Sequence, residues 1–462
     1  MENTLKKTNK KDIFYYICFA IIMVGSVYLF KLDCMNIYLN NWNIDALVMI
    51  VLYLAVTSVP VVLVWKSKCN TKLKIISTAL LTFSFLIRIF SAEYKSGDYI
   101  IFLKEWVEYY RERSFVEGLA GYVGNYSPPY NLILQIIAHI PVYDLFLIKI
   151  VSYIFEMMTA IVIVKIVALI RKETPSYFLL GIILMVPMFY IDSSFWAQCD
   201  AVYTFFLILA LYFAIQNKSK RAFFTFGVAF AFKMQSLVVF LVVLVVLLAK
   251  PAENQEKMMK WRDIYFAAIG YVALTIFPVF FGRSIDETFL VYLTQASTNE
   301  GIVGGAASYL SILKYFDIFN TKWFVFFQFM VDVAVLAVLL YYCIRYVRKN
   351  GITEFEVILF ALMISFVIVY FTPKMLERFF YVSNLLIVIV ALVLRKKDFT
   401  LAAMLSLVAN HIRYTRYNRV FTETIYTVTN CIAAVINTIA FVLLCIIFIK
   451  YLKENMKKEK EL

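Results

Sequence analysis

Apolar runs follow one another from Ile13 to Lys450, and no segment between them is long and polar enough to form a separate globular domain. A crossing helix needs ~20 mostly apolar residues, so this pattern predicts an all-α, polytopic membrane protein. Basic clusters punctuate the runs at the N-terminal tail, Lys66 to Lys74, Arg171 and Lys172, Lys218 to Arg221, Lys250 to Arg262, Arg345 to Lys349, Arg395 to Lys397 and the tail from Lys450. Spans placed between them put every cluster on one side, cytoplasmic by the positive-inside rule. About fourteen spans fit, with both termini inside.

That count requires one apolar stretch not to cross. Between Pro129 and Pro141 lie about eleven residues, too few for a span, so Tyr130 to Ile140 is expected to be a juxtamembrane helix on the outer face. The outer face then holds Ser91 to Pro141, Asp192 to Asp200, Lys233 to Ser236, Gly282 to Lys322, Thr372 to Arg378 and His411 to Arg419. Ala222 to Phe232 and Leu237 to Ala249 are short for spans, and short helices that stop below the surface predict a cavity. Three regions are expected: a two-helix N-terminal addition over 1–74, a catalytic membrane module over 75–250 whose first outer loop is 91–141, and C-terminal helices over 251–462 completing the cavity.

Composition strengthens the membrane reading and narrows the chemistry. Hydrophobic residues make up 63% and charged residues 16%, far from the quarter charged that soluble chains carry. The net charge of +14 reports topology rather than nucleic acid, because the basic residues sit at helix ends. Seven scattered cysteines fall in no ligand spacing, and with two histidines any acid or base work goes to carboxylates. No cofactor is called for, and a divalent metal is left open. The run after Lys6, Lys7, Lys10 and Lys11 has no small-residue cleavage site and reads as a retained first helix.

The unusual polar residues lie in the outer turns. Asp98 stands in SGDYI at a membrane boundary, where it is either a base or a cap for the following helix. Asn125 and Tyr126 open the short helix in NYSPPY. DSSFWAQCDAVY brings Asp192, Trp196, Gln198 and Asp200, of which Asp200 can cap a helix and Gln198 has no such role. Lys233 and Gln235 fall in FKMQS between two short spans, where a buried lysine is expected to meet an anion or carboxylate unless it snorkels to the surface. TPKMLERFFY adds Glu377 and Arg378. Arg413, Arg416 and Arg419 recur at spacing three, placing them on one helical face suited to phosphate oxygens or lipid headgroups.

GDYIIFLKEW from Gly97, NYSPPY from Asn125, FWAQCDAVY from Phe195, FKMQS from Phe232 and KMLERFFY from Lys374 together resemble the GT-C superfamily of membrane glycosyltransferases. Within it the chain resembles bacterial relatives of the second mannosyltransferase of glycosylphosphatidylinositol synthesis. The resemblance implies transfer of a hexose, mannose-like, from a polyprenyl-phosphate sugar to a glycan, lipid-linked or protein acceptor at the outer face of a cell membrane. It implies Asp98 as base of an inverting transfer, with Lys233 and Arg378 on the leaving phosphate. Relatives usually read MHERYF where Leu376 replaces the histidine here, and carry glycine where Ala197 stands. A lipid-linked sugar exporter would show similar halves or charges spread at midplane depth, whereas no internal repeat is visible and the candidate residues gather on one face. A polysaccharide polymerase or ligase would carry a large late outer loop, whereas the long polar loop here is early and bears Asp98.

Overall fold

A computed structural model of the protein describes residues 44–251, 257–292, 305–314, 316, 319, 321–414 and 423–458. Every regular element among these residues is helical, as the apolar runs require. Eight helices are long and apolar enough to cross a membrane: Ile44–Lys66, Thr71–Phe90, Asp144–Arg171, Trp261–Phe281, Lys322–Asn350, Glu354–Phe371, Glu377–Leu394 and Thr427–Met456. Shorter or interrupted helices lie between 179 and 195, at Asp200–Ala214, Ser219–Phe232 and Met234–Leu248, and the helix Lys397–Tyr414 is more polar. Fourteen crossings thus exceed what length and apolarity alone establish, and the expected first helix lies outside the described residues.

Local signals set the helix ends. Asn70 accepts from the Lys72 amide at 2.9 Å, Thr321 caps Lys322–Asn350, and Thr353 with Glu356 forms a reciprocal capping box. At C-termini, Lys172 and Arg395 turn through left-handed backbone at φ 52° and 50°. The basic ends then meet. Arg171 Nη1 donates to the Val393 carbonyl at 2.7 Å and Glu173 pairs with Arg395 at 3.6 Å. The Lys250 amide donates to Val347 and the Lys260 amide to Ser219 Oγ, both at 3.0 Å. The clusters at 171–172, 218–221, 250–262, 345–349 and 395–397 therefore gather at one end of the bundle, as their alternation predicts.

Glu354–Phe371 and Glu377–Leu394 form the buried centre, while Lys322–Asn350 and Trp261–Phe281 are peripheral and turn large apolar side chains outward. Helix Ile44–Lys66, within the expected N-terminal addition, packs on Asp144–Arg171 through stacked Tyr53 and Tyr153 and a 2.9 Å bond between Thr57 and Tyr153 hydroxyls. Ser219–Phe232 and Tyr265–Thr275 approach backbone to backbone. A β-carbon on Gly227 would meet the Ala267 carbonyl, and one on Gly270 the Phe224 carbonyl. Small residues permit such crossings in lipid, where no hydrophobic force between helices replaces close packing.

The short helix is Pro128–Ala138, with Pro128 at its first position. Eleven residues span about 16 Å, roughly half a hydrocarbon core, so it is too short to cross. Ser127 ties its start to the Ala231 and Phe232 carbonyls, and His139 Nε2 at its end meets the Arg113 carbonyl at 3.2 Å. It lies with the loops at the end opposite the basic clusters.

Candidate active site

Segments distant in sequence converge at that opposite end. Helix Thr71–Phe90 stops there, and the chain reaches Asp98 through a loop held by two groups. Lys149, fully buried on Asp144–Arg171, donates to the carbonyls of Ser91, Ala92 and Tyr94 at 2.8, 3.0 and 2.8 Å. A cation at a helix C-terminus meets the negative end of the dipole. Ser96 Oγ donates to the Trp196 carbonyl at 2.7 Å and accepts from the Tyr99 amide at 3.1 Å. Ser96 therefore serves the turn that follows, a wide π-helical turn over Tyr99–Leu103, whereas Asp98 makes no capping bond. Its carboxylate is free for other contacts.

Those contacts fall on one oxygen. Asp98 Oδ2 accepts from Gln198 Nε2 at 2.6 Å and from Arg378 Nη1 at 2.8 Å. Oδ1 carries no hydrogen bond among the described residues, and the side chain is 30% exposed. Two charge-assisted bonds fix the carboxyl plane and leave its second oxygen open.

Gln198 is aimed by its own surroundings. A second π-helical turn, Ile191–Phe195, follows the break at Pro187, and Ala197 then adopts φ 56°. That conformation suits glycine, since a β-carbon crowds the backbone there. The Gln198 carbonyl accepts from Ser152 at 2.7 Å, and its Oε1 accepts from Tyr126 Oη at 3.2 Å. Burial pushes the Tyr126 phenol well up, which keeps it a donor at neutral pH. Burial likewise raises the neighbouring Cys199 thiol to about 11, far from a nucleophilic thiolate.

Lys233 is not a snorkelling surface lysine. Its extended backbone ends Ser219–Phe232, and its buried ammonium pairs with buried Asp200 at 2.8 Å, between the rings of Tyr126 and Tyr203 at 5.7 and 5.8 Å. The carboxylate partner expected from the sequence is thus present within the chain. Arg378 keeps its Nε without a partner among the described residues, beside its bond to Asp98. Glu377 is buried with Oε2 unbonded among the described residues, so close to Gly305 that a β-carbon there would collide with it. Tyr414 donates to Asp192 Oδ1 at 3.1 Å and packs edge-on to Trp196.

Asp98, Tyr126, Gln198 and Arg378 thus form one hydrogen-bonded group, with Lys233 and Asp200 packed under Tyr126. Gln235 Oε1 is buried with no hydrogen-bond partner among the described residues, and Asn125 makes no bond to the group among them. Arg413 Nε bonds the Gly305 carbonyl, while Arg416 and Arg419 lie outside the described residues. Ser96, Lys149, Ser152, Gly305 and Tyr414 escaped sequence reading. Ser96 alone had a signal, its place two residues before Asp98. Among the described residues no group of three or more His, Cys, Asp or Glu side chains is placed to hold a metal ion.

A fixed carboxylate with an open oxygen can take a proton, and a guanidinium with a free N–H beside it can hold an oxyanion. Residues 125–281, about a third of the chain, match the family model described as dolichyl-phosphate-mannose-protein mannosyltransferase. The match includes Asn125, Tyr126, Trp196, Gln198, Asp200, Lys233 and Gln235 and excludes Asp98 and Arg378. No curated protein matches the chain. Together with the apolar helices, the family match supports a multi-pass membrane glycosyltransferase of the GT-C type.

Proposed function

We propose, from a membrane glycosyltransferase of this type as premise, that the protein transfers a hexose from a polyprenyl-phosphate carrier to a hydroxyl acceptor with inversion, and that Asp98 is the base. The observation that carries the reading is the asymmetry of Asp98. Gln198 and Arg378 hold Oδ2 while Oδ1 is open. The acceptor hydroxyl gives its proton to Oδ1 as its oxygen bonds to the sugar C1. The C1–O bond to phosphate breaks, and polyprenyl phosphate departs as an anion. Arg378, with Nε unengaged, stabilises that anion, so the same side chain orients the base and meets the leaving group. Lys233 enters indirectly, by neutralising Asp200 beneath Tyr126. Fourteen crossings, cytoplasmic termini, an extracellular site and the glycosylphosphatidylinositol-type relationship belong to the same proposal.

Full-length protein incubated with a panel of polyprenyl-phosphate sugars, scored for free polyprenyl phosphate, tests it. Asp98→Asn keeps the hydrogen bonds but accepts no proton, so turnover should fall by roughly 10² to 10⁴ while donor binding survives. Near-normal turnover in that variant would take the base role from Asp98.

A further inference from the structure

Arg283 lies outside the hydrogen-bonded group just described. It follows Gly282, whose φ of 105° ends the helical stretch Trp261–Phe281 in a left-handed turn. The turn swings the arginine back toward the loop preceding Pro128–Ala138. Its guanidinium sits 4.2 Å from the centre of the Tyr122 ring, and the residue is only 3% exposed. Yet Nε and Nη2 have no hydrogen-bond partner among the described residues, and no acid among them pairs with it. Glu287 is near enough to be felt electrostatically but forms no ion pair. A buried guanidinium with two idle N–H groups is costly unless an anion completes it.

The surroundings say which anion. Phe280, Phe281 and Ile285 are 77, 41 and 65% exposed on either side of Arg283, at the end of a peripheral apolar helix. Large apolar side chains at that position face the lipid boundary, so an anion arriving there is carried by a lipid. Tyr122 belongs to the loop that also carries Tyr126. Gly124 presses that loop against Trp106 at φ 76°, and Trp106 stacks edge-on against Tyr126 with ring centres 5.2 Å apart. Occupancy at Arg283 therefore bears on the loop that aims Gln198 at Asp98.

We infer that Arg283, covered by Tyr122, is a second anion site that binds the phosphate of a lipid. The fork of N–H groups suits a phosphate monoester or diester. Full-length protein in neutral detergent is titrated with farnesyl phosphate, with phosphatidylglycerol in mixed micelles and with inorganic phosphate. In Arg283→Gln, one bound equivalent of lipid phosphate should weaken at least about tenfold, as expected for a lost charged hydrogen bond. Arg283→Lys keeps the charge without the planar fork and should weaken it about threefold or more. Loss confined to farnesyl phosphate identifies the prenyl carrier as the occupant, and loss confined to phosphatidylglycerol identifies bulk lipid. Wild-type affinity for both lipids in Arg283→Gln, or in Arg283→Lys if the glutamine variant does not fold, overturns the site. Inorganic phosphate bound as tightly as either lipid overturns its lipid assignment. These probes carry no sugar, so the result stands apart from whether the protein is a transferase.

Discussion

Lys233 and Arg378 look alike in the sequence, two cations in turns, and the structure gives them different consequences. Lys233→Met leaves Asp200 alone at a fully buried position and should cost about 3 to 5 kcal/mol of stability, measured as lost resistance to denaturant. Arg378→Met frees a partly exposed carboxylate that water can solvate, so the fold should survive while donor affinity falls by about 1.5 to 3 kcal/mol. Equal destabilisation of both variants would refute the distinction. The candidate carboxylates and cations were legible one by one, because polar residues in apolar turns stand out. Their pairing was not, since Asp98 and Arg378 are 280 residues apart. Ala197 holds φ 56°, a backbone region that favours glycine. Ala197→Gly should raise stability by about 0.5 to 1 kcal/mol and leave turnover intact, checked by thermal inactivation beside an activity assay.

Among the elements, the crossing of Ser219–Phe232 with Tyr265–Thr275 positions Lys233, which begins where the first of these helices ends. Gly270→Leu drives a side chain into the Phe224 backbone, so the helices must separate. Disulfide trapping of cysteines placed at 224 and 270 in an otherwise wild-type pair of helices gives the reference contact. Leucine at 270 with cysteines moved one turn away, at 228 and 274, should abolish trapping, and undiminished trapping would remove the glycines from this role. The lengths of the apolar runs anticipated a short helix, expected over Tyr130 to Ile140 and found two residues earlier at Pro128–Ala138, and the turn at Lys233. They did not anticipate the two π-helical turns at Tyr99–Leu103 and Ile191–Phe195, because a one-residue widening leaves the apolar pattern unchanged.

For the molecule as a whole, the gathering of basic ends opposite the candidate site makes sidedness testable. A cysteine replacing exposed Lys172 should label only from the cytoplasmic side of sealed cells or vesicles, and one replacing exposed Glu112 only from the other. Labelling of both from one side would overturn the bundle's orientation and the non-crossing short helix together. The helical, membrane-embedded class followed from sequence alone, because lipid offers backbone groups no partner and so forces any long apolar run into a helix. The alternation of ends followed too, because basic residues mark one face of a bilayer wherever they fall in the chain. Tertiary structure alone decided which oxygen of Asp98 stays open, that Lys149 anchors its loop and that Arg283 is covered by Tyr122. Those outcomes depend on contacts between side chains far apart along the chain, within about 3 to 4 Å in space, and composition and periodicity carry no record of such distances.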